Sequence, residues 1–244
     1  MESKESDILS RARSYQSSKR LCIAMICDFF YPNTGGVEIH ILNLAYCLIE
    51  KGHKVIGITH YYGDKIGVRY IHNGLKIYYC PFTMMPNGFG NIIFPLLHSP
   101  HMLPLLRDIF IREDVDLVHW HQGASQLGYY TALSSHHLNV RVILTNHSLW
   151  EIEDPFIIML NKLHNMVICT KGLEHTISVS HAVRENEIIR ADMPVQKTSV
   201  IPNAIDCNLF TADPSQRYPV GTINIVYVAR LATRKGRLTG YLRC

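Results

Sequence analysis

The sequence predicts an α/β protein with a Rossmann-like parallel sheet flanked by helices. Residues 21–27 and 53–60 form short, continuous apolar segments, which are typical of parallel strands buried on both faces. Between them, residues 39–52 place apolar side chains three and four positions apart and end at Gly52, as an amphipathic helix does. A strand, a helix and a strand joined by short connections indicate a right-handed parallel crossover.

Size and composition limit the function classes. The 244 residues are 47% hydrophobic, enough for one packed core plus a tail or part of a second domain. A net charge of +4 suits an anionic small molecule or a lipid surface, and it falls short of the clustered basic footprint of a nucleic-acid-binding protein. Seven cysteines without a Cys-x-x-Cys pair favour a reducing compartment. We expect no signal peptide, no membrane-spanning helix and a disordered tail over residues 1–20.

The turn between the first strand and the first helix contains Gly35 and Gly36. Glycines here let the backbone approach a ligand, and the free N–H groups of the helix start attract negative charge. A plain tight turn explains the pair equally well. The dinucleotide fingerprint and the phosphate loop ending in Gly-Lys-Ser/Thr are both absent, which counts against a dehydrogenase or a nucleoside triphosphatase.

Residues 75–80 predict a third strand, and the stretch 77–106 is unusual because it contains no Asp, Glu, Lys or Arg. Its five prolines exclude one continuous helix, so we expect a loop followed by a partly buried helix. The alternative is a surface that dips into a membrane or holds an acyl chain, with Arg107 and Arg112 near lipid phosphates.

The remaining elements follow in the same alternating pattern. Further strands are predicted at 116–121, 140–147, 174–180 and from 199 to a break at Pro202, with helices at 154–170 and 181–191. Residues 213–222 have the composition of a linker, and 223–229 read as a fresh strand. We therefore predict domain bounds of 1–20, 21–212, 213–222 and 223–244.

Three histidines lie at the ends of predicted strands. His119 and His121 are two residues apart and so project from the same face, while His147 ends the next strand. Because ligands of open parallel sheets bind outside the carboxyl ends of the strands, we expect these side chains and the Gly35 turn to converge on one site. A three-histidine zinc site is the alternative interpretation. The segment 123–127 fails the Gly-x-Ser-x-Gly pattern, which argues against a serine hydrolase.

With these motifs in place, the chain resembles the retaining GT-B glycosyltransferases, which contain two Rossmann domains. Among them it is most similar to the catalytic subunits of phosphatidylinositol N-acetylglucosaminyltransferase. The resemblance covers residues 21–236 and rests on several motifs: Asp28-Phe29-Phe30-Tyr31-Pro32, Gly35-Gly36-Val37-Glu38 with His40, His119-x-His121, Thr145-Asn146-His147-Ser148, Val200-Ile201-Pro202-Asn203, and Arg230-Leu231 with Arg234-Lys235-Gly236.

The resemblance implies a role for each matching residue. Gly35 and Gly36 would lie against the diphosphate and sugar of the donor, and His147 would contact the donor sugar near the reacting carbon. Arg230 and Lys235 would neutralise the leaving diphosphate, so no metal would be needed. The remaining candidates, around the sugar and inositol, are His119 as a catalytic residue, with Glu38, His40 and His121.

The same resemblance implies the reaction and its setting. The donor would be UDP-N-acetylglucosamine and the acceptor phosphatidylinositol, at the cytoplasmic face of the endoplasmic reticulum membrane together with other subunits of the complex. Residues 21–212 would be the acceptor-side domain of the GT-B fold, and 223–244 a stub of the second, donor-binding Rossmann domain. We therefore expect an incomplete chain, inactive alone. The alternative is a non-catalytic module that binds phosphoinositide membranes or partner subunits.

Overall fold

The computed structural model describes residues 20–81, 101–123, 125–149 and 173–205, with seven more residues between 207 and 221. Contacts divide the chain into two units, 1–204 and 205–244, and almost all described residues belong to the first. The helix predicted at 154–170, the strand at 223–229 and most of the stretch 77–106 lie outside the described residues. The predicted domain bounds stay a prediction.

The first unit is built on one eight-stranded sheet in the order β3-β4-β2-β1-β5-β6-β7-β8. Its strands are β1 Cys22–Ile26, β2 Lys54–His60, β3 Gly67–Tyr70, β4 Lys76–Cys80, β5 Leu117–His121, β6 Arg141–Asn146, β7 Leu173–Ser178 and β8 Thr198–Val200. All neighbouring strands are parallel except β3, which pairs antiparallel with β4 at the edge. The predicted α/β class with a parallel sheet is therefore confirmed.

The described part of the chain contains the α-helices α1 Gly36–Glu50, α2 Met102–Glu113, α3 Gln126–Leu138 and α4 His181–Ala191. The first begins three residues earlier than predicted, at the glycine pair itself. The third, α3, was not predicted. The predicted bounds of α4 are confirmed.

The sheet separates two apolar cores, which is why its central strands are apolar along their whole length. On one face, Ile41 and Ala45 of α1 pack with Met25 and Ile77. On the other face, side chains of α2 and α3 surround the buried Trp120. Every residue of β1 is buried. The cysteines of the strands behave as small apolar side chains, as expected: Cys22, Cys27 and Cys80 are buried free thiols.

The described ends of the uncharged stretch 77–106 belong to the core. Residues 77–80 complete β4, and Met102 and Leu106 of α2 are fully buried. Pro104 lies in the first turn of α2, where its missing N–H has no helical partner to lose. These ends are therefore not a lipid-facing surface, and the hypothesis now concerns residues 82–100, which lie outside the described residues. In the part of the chain that the structure describes, no helix is both long enough and apolar enough to cross a membrane.

Candidate functional site

The candidate site lies at the carboxyl edge of the sheet, where the chain reverses its direction of strand addition. From β1 the chain adds β2 on one side, and it later adds β5 on the other. The loops after β1 and β5 therefore leave the sheet side by side and part to opposite faces. Such a switch point is where open α/β sheets bind their ligands.

A buried carboxylate joins these two loops. Asp28, directly after β1, accepts hydrogen bonds from the backbone N–H groups of Gln126 and Leu127, both at 2.8 Å, and from Ser125 Oγ at 3.0 Å. The carboxylate thus satisfies the free N–H groups at the start of α3 and places a negative charge at the positive end of that helix. Burial nevertheless raises the pKa of Asp28, against the effect of its three donors. The two loops that border the switch point are held as one structure.

The glycine turn brings a second carboxylate to the start of α1. Gly35 is the N-cap residue and offers no side-chain cap. A Cβ atom at Gly35 would lie 2.4 Å from Glu38 Oε2, so glycine is required for this close approach. Glu38 Oε1 accepts a hydrogen bond of 2.8 Å from Asn33 Nδ2. The predicted anion site at the start of α1 therefore has the Glu38 carboxylate beside it.

Three histidines meet next to this turn, and we call His40, His121 and His147 the histidine cluster. His40 lies one turn into α1, His121 ends β5, and His147 follows β6. One ring nitrogen of each lies within 4.8 Å of the other two. His121 Nδ1 and His147 Nε2 are 3.3 Å apart, and the centroid of the His40 ring is 5.0 Å from that of His147.

His119 lies behind the cluster. Its ring packs against that of His121, with centroids 4.2 Å apart, as expected for residues on the same face of a strand. Its Nε2 is 2.7 Å from Thr145 Oγ1, and the residue is 6% exposed. Among the described residues, the three-histidine group with ligand geometry therefore contains His40, where the zinc alternative had His119.

The histidines of this edge are neutral near pH 7. Burial lowers the pKa of His147 to about 4, and that of His119 to about 3, with a further decrease from the neighbouring imidazoles. Burial and the same neighbours also place the pKa of His121 well below its ordinary value. A neutral imidazole has one N–H donor and one acceptor nitrogen. His121 Nε2 and His147 Nδ1 are buried without a hydrogen-bond partner within the described part of the chain, so these rings can still bind a hydroxyl or a metal ion.

A second network holds the loop that carries His147. Asn146 Oδ1 accepts a hydrogen bond of 3.2 Å from the N–H of Gly123, which ties the ends of β5 and β6 together. Ser178 Oγ donates to Glu187 of α4, a fully buried carboxyl whose pKa burial raises to about 7. Glu187 was not among the predicted residues, and the signal that could have found it is an acidic residue on the apolar face of the predicted helix 181–191.

The predicted convergence is present at this edge. Seven predicted site residues lie on the loops, strand ends and helix start described above: Gly35, Gly36, Glu38, His40, His119, His121 and His147. Arg230 and Lys235 lie outside the described residues. The roles of all nine remain predictions.

Solved structures with the same architecture define the class of fold. A glycosyltransferase from Rickettsia africae has a TM-score of 0.57 at 20% identity, over 82% of this chain and 47% of that one. A sucrose-phosphate synthase from Thermosynechococcus elongatus has a TM-score of 0.55 at 16% identity, over 78% of this chain and 50% of that one. The fold is that of a GT-B glycosyltransferase, of which the chain covers a part.

Sequence comparison identifies the family. The family model described as PIGA (GPI anchor biosynthesis) matches residues 60–154. The corresponding subunit of human phosphatidylinositol N-acetylglucosaminyltransferase is 44% identical over 88% of this chain. The gpi3 subunit of the same transferase from Schizosaccharomyces pombe is 39% identical over 87% of it. The chain belongs to the family of these transferase subunits. It covers 42% of the length of the human protein and 45% of that of the S. pombe protein.

Proposed function

We propose that the chain takes part in transferring N-acetylglucosamine from UDP-N-acetylglucosamine to phosphatidylinositol, the first step of glycosylphosphatidylinositol anchor biosynthesis. Its relatives carry the name of this transferase. The observation that carries the proposal is the histidine cluster beside the start of α1 at the switch point. Sugar and inositol rings present several hydroxyl groups, and neutral imidazoles with unpartnered nitrogens can both donate to and accept from them.

Each side chain has a defined part in this proposal. His147 contacts the donor sugar near the reacting carbon, and His40 and His121 bind hydroxyl groups of the sugar or of inositol. His119 supports the ring of His121 from behind. The start of α1 at Gly35 and Gly36 receives phosphate oxygens through its free N–H groups. The leaving diphosphate gains negative charge in the transition state, and Arg230 and Lys235 stabilise that charge.

A lipid acceptor agrees with the exposed apolar side chains at the same edge. Phe29 and Tyr31 of the loop after β1 are each 43% exposed, and Ile39 of α1 is 51% exposed. Leu149, two residues after His147, is 60% exposed. These side chains give a polar site an apolar rim, which suits a polar head group presented from a membrane surface. We propose that the chain works at the cytoplasmic face of the endoplasmic reticulum membrane with the other subunits of the transferase.

Ligand titration tests the proposal. Glycerophosphoinositol, the head group without its acyl chains, and UDP-N-acetylglucosamine are titrated separately into the purified chain, and saturation-transfer NMR reports which ligand protons contact it. We expect saturable binding of at least one ligand that His147→Ala weakens at least tenfold. His181→Ala, which alters an exposed histidine at the start of α4, is the matched control and should bind as the original chain does.

Two results would contradict the proposal. One is the absence of binding for both ligands in a chain whose circular dichroism shows it folded. The other is equal binding by His147→Ala and the control. Flotation with liposomes that contain or lack phosphatidylinositol separates the alternative, since a membrane-binding module floats with the lipid whatever residue stands at position 147.

A further inference from the structure

The histidine cluster has the donor set and spacing of a transition-metal site. Its three imidazoles come from three different elements, so the fold itself brings them together. The ring nitrogens of His40, His121 and His147 all lie within 4.8 Å of one another. Zn²⁺ binds histidine nitrogen at about 2.0–2.1 Å in tetrahedral geometry, which places two nitrogen ligands about 3.3–3.4 Å apart. His121 Nδ1 and His147 Nε2 are 3.3 Å apart and therefore already have that separation.

Hydrogen bonding within the cluster does not account for all of its nitrogens. One N–H···N bond between His121 Nδ1 and His147 Nε2 leaves the other nitrogen of each ring buried and unpartnered among the described residues. His121 is fully buried, so water does not compensate it from bulk solvent. An unsatisfied buried polar group costs on the order of 1–3 kcal/mol, so these rings are poised for a ligand.

The third ligand needs little movement. His40 lies on the surface of α1 and is half-buried, so its side chain can rotate without repacking the core. A shift of about 1.5 Å brings a nitrogen from the 4.8 Å limit to ligand spacing. His119 cannot take this place without breaking its contact with Thr145 Oγ1.

We propose that His40, His121 and His147 form a binding site for a first-row transition cation such as Zn²⁺. Three imidazole nitrogens prefer Zn²⁺, Co²⁺, Ni²⁺ or Cu²⁺ to Mg²⁺ or Ca²⁺, which bind oxygen ligands. Three protein ligands leave a fourth position open to water or to another small ligand. The cation occupies the place of the sugar or inositol hydroxyls, so it competes with them and takes no part in transfer. The proposal does not depend on the transferase activity.

Cobalt and zinc titrations test the site directly. The metal-free chain is titrated with Co²⁺ and followed by its visible d–d absorption, and Zn²⁺ affinity is then measured by competition with a chromophoric chelator. We expect one ion per chain, tetrahedral Co²⁺ bands without cobalt–thiolate charge transfer, and no competition from Mg²⁺ or Ca²⁺. His40→Ala should weaken Zn²⁺ binding at least tenfold, whereas His181→Ala should leave it unchanged.

Three outcomes would overturn the proposal: no tetrahedral Co²⁺ spectrum, equal Zn²⁺ affinity in the two variants, or thiolate charge-transfer bands that place the ion on cysteines. His40 is half-buried, so His40→Ala should remain folded, and His147→Ala provides a second variant of the same site. A chain that binds Zn²⁺ but neither glycerophosphoinositol nor UDP-N-acetylglucosamine would support the metal site and contradict the proposed function, so the two can fail separately.

Discussion

Substitution of Gly128 by alanine tests how closely α3 packs on β5 beneath the candidate site. An added Cβ would lie 1.9 Å from Cε2 and 2.0 Å from Nε1 of the Trp120 indole. The indole cannot move away easily because it is fully buried, donates a hydrogen bond of 2.8 Å to the carbonyl of Gln122 and packs edge-on against Tyr129. The added methyl must therefore displace the indole or the helix.

The expected loss in the free energy of unfolding is about 2–4 kcal/mol. Overpacking of a core costs about 1–3 kcal/mol. Loss of the buried indole hydrogen bond adds about 1–3 kcal/mol. The higher helix propensity of alanine returns up to about 1 kcal/mol. Because domains are stable by only about 5–15 kcal/mol, this loss should be large enough to lower the denaturation midpoint clearly.

Urea denaturation followed by circular dichroism measures the change. Gly36→Ala is the matched control because it also replaces a helical glycine by alanine, at a position where the added Cβ meets no atom within 4 Å. The control should unfold at or slightly above the midpoint of the original chain. If Gly128→Ala unfolds together with the control, the indole does not lie against Gly128, and the placement of α3 on β5 is wrong.

Three further predictions concern charges and a helix cap. Although burial raises it, hydrogen bonds from Lys76, Tyr78 and Lys54 hold the pKa of Glu113 at about 2, below its ordinary 4.5, so this group stabilises the fold above pH 4.5 and loses that effect as pH falls toward 2. Glu113→Gln should remove about 2 kcal/mol of this acid-side dependence in urea titrations repeated across pH, and an unchanged slope would contradict the ion-pair geometry. Burial raises the pKa of Glu187 to about 7, so the original chain should lose about 2–3 kcal/mol between pH 4.5 and 7, and thermal melts of Glu187→Gln should lack this decrease. Ser180 Oγ accepts a hydrogen bond from the N–H of Val183 at the start of α4, so Ser180→Ala should lower the free energy of unfolding by about 1 kcal/mol in urea, whereas Ser180→Thr, which keeps the capping hydroxyl, should recover most of it.

The sequence predicted the central sheet because its strands are buried on both faces and therefore read as continuous apolar segments. Two elements escaped prediction for opposite reasons. All four residues of β3 are exposed, so no burial pattern marks this edge strand. Most of α3 is buried, including Thr131, Ser134 and Ser135, so its polar residues do not mark a solvent face and the helical period is lost. The capping Ser125, whose side chain accepts from the N–H of Gly128, is the local signal that could have located this helix.

The candidate site was predictable in outline because the carboxyl ends of parallel strands must share one edge. The detail depended on where α1 begins. A helix starting at Gly36 places His40 one turn in, facing His121 and His147, and a start at Ile39 would not have given that position. The contact of His119 with Thr145 depends on the register between β5 and β6, which no spacing within either strand specifies.

The Glu38 carboxylate gives the start of α1 a resident anion. A phosphate arriving at Gly35 and Gly36 would exchange with that carboxylate, so the N-terminal end of the helix would face negative charge both before and after binding. The free energy of capture then depends on the rotation of one acidic side chain and on the loss of its bond to Asn33. A neutral residue at position 38 would remove the exchange, and anions would then reach the helix without displacing a charge already in place.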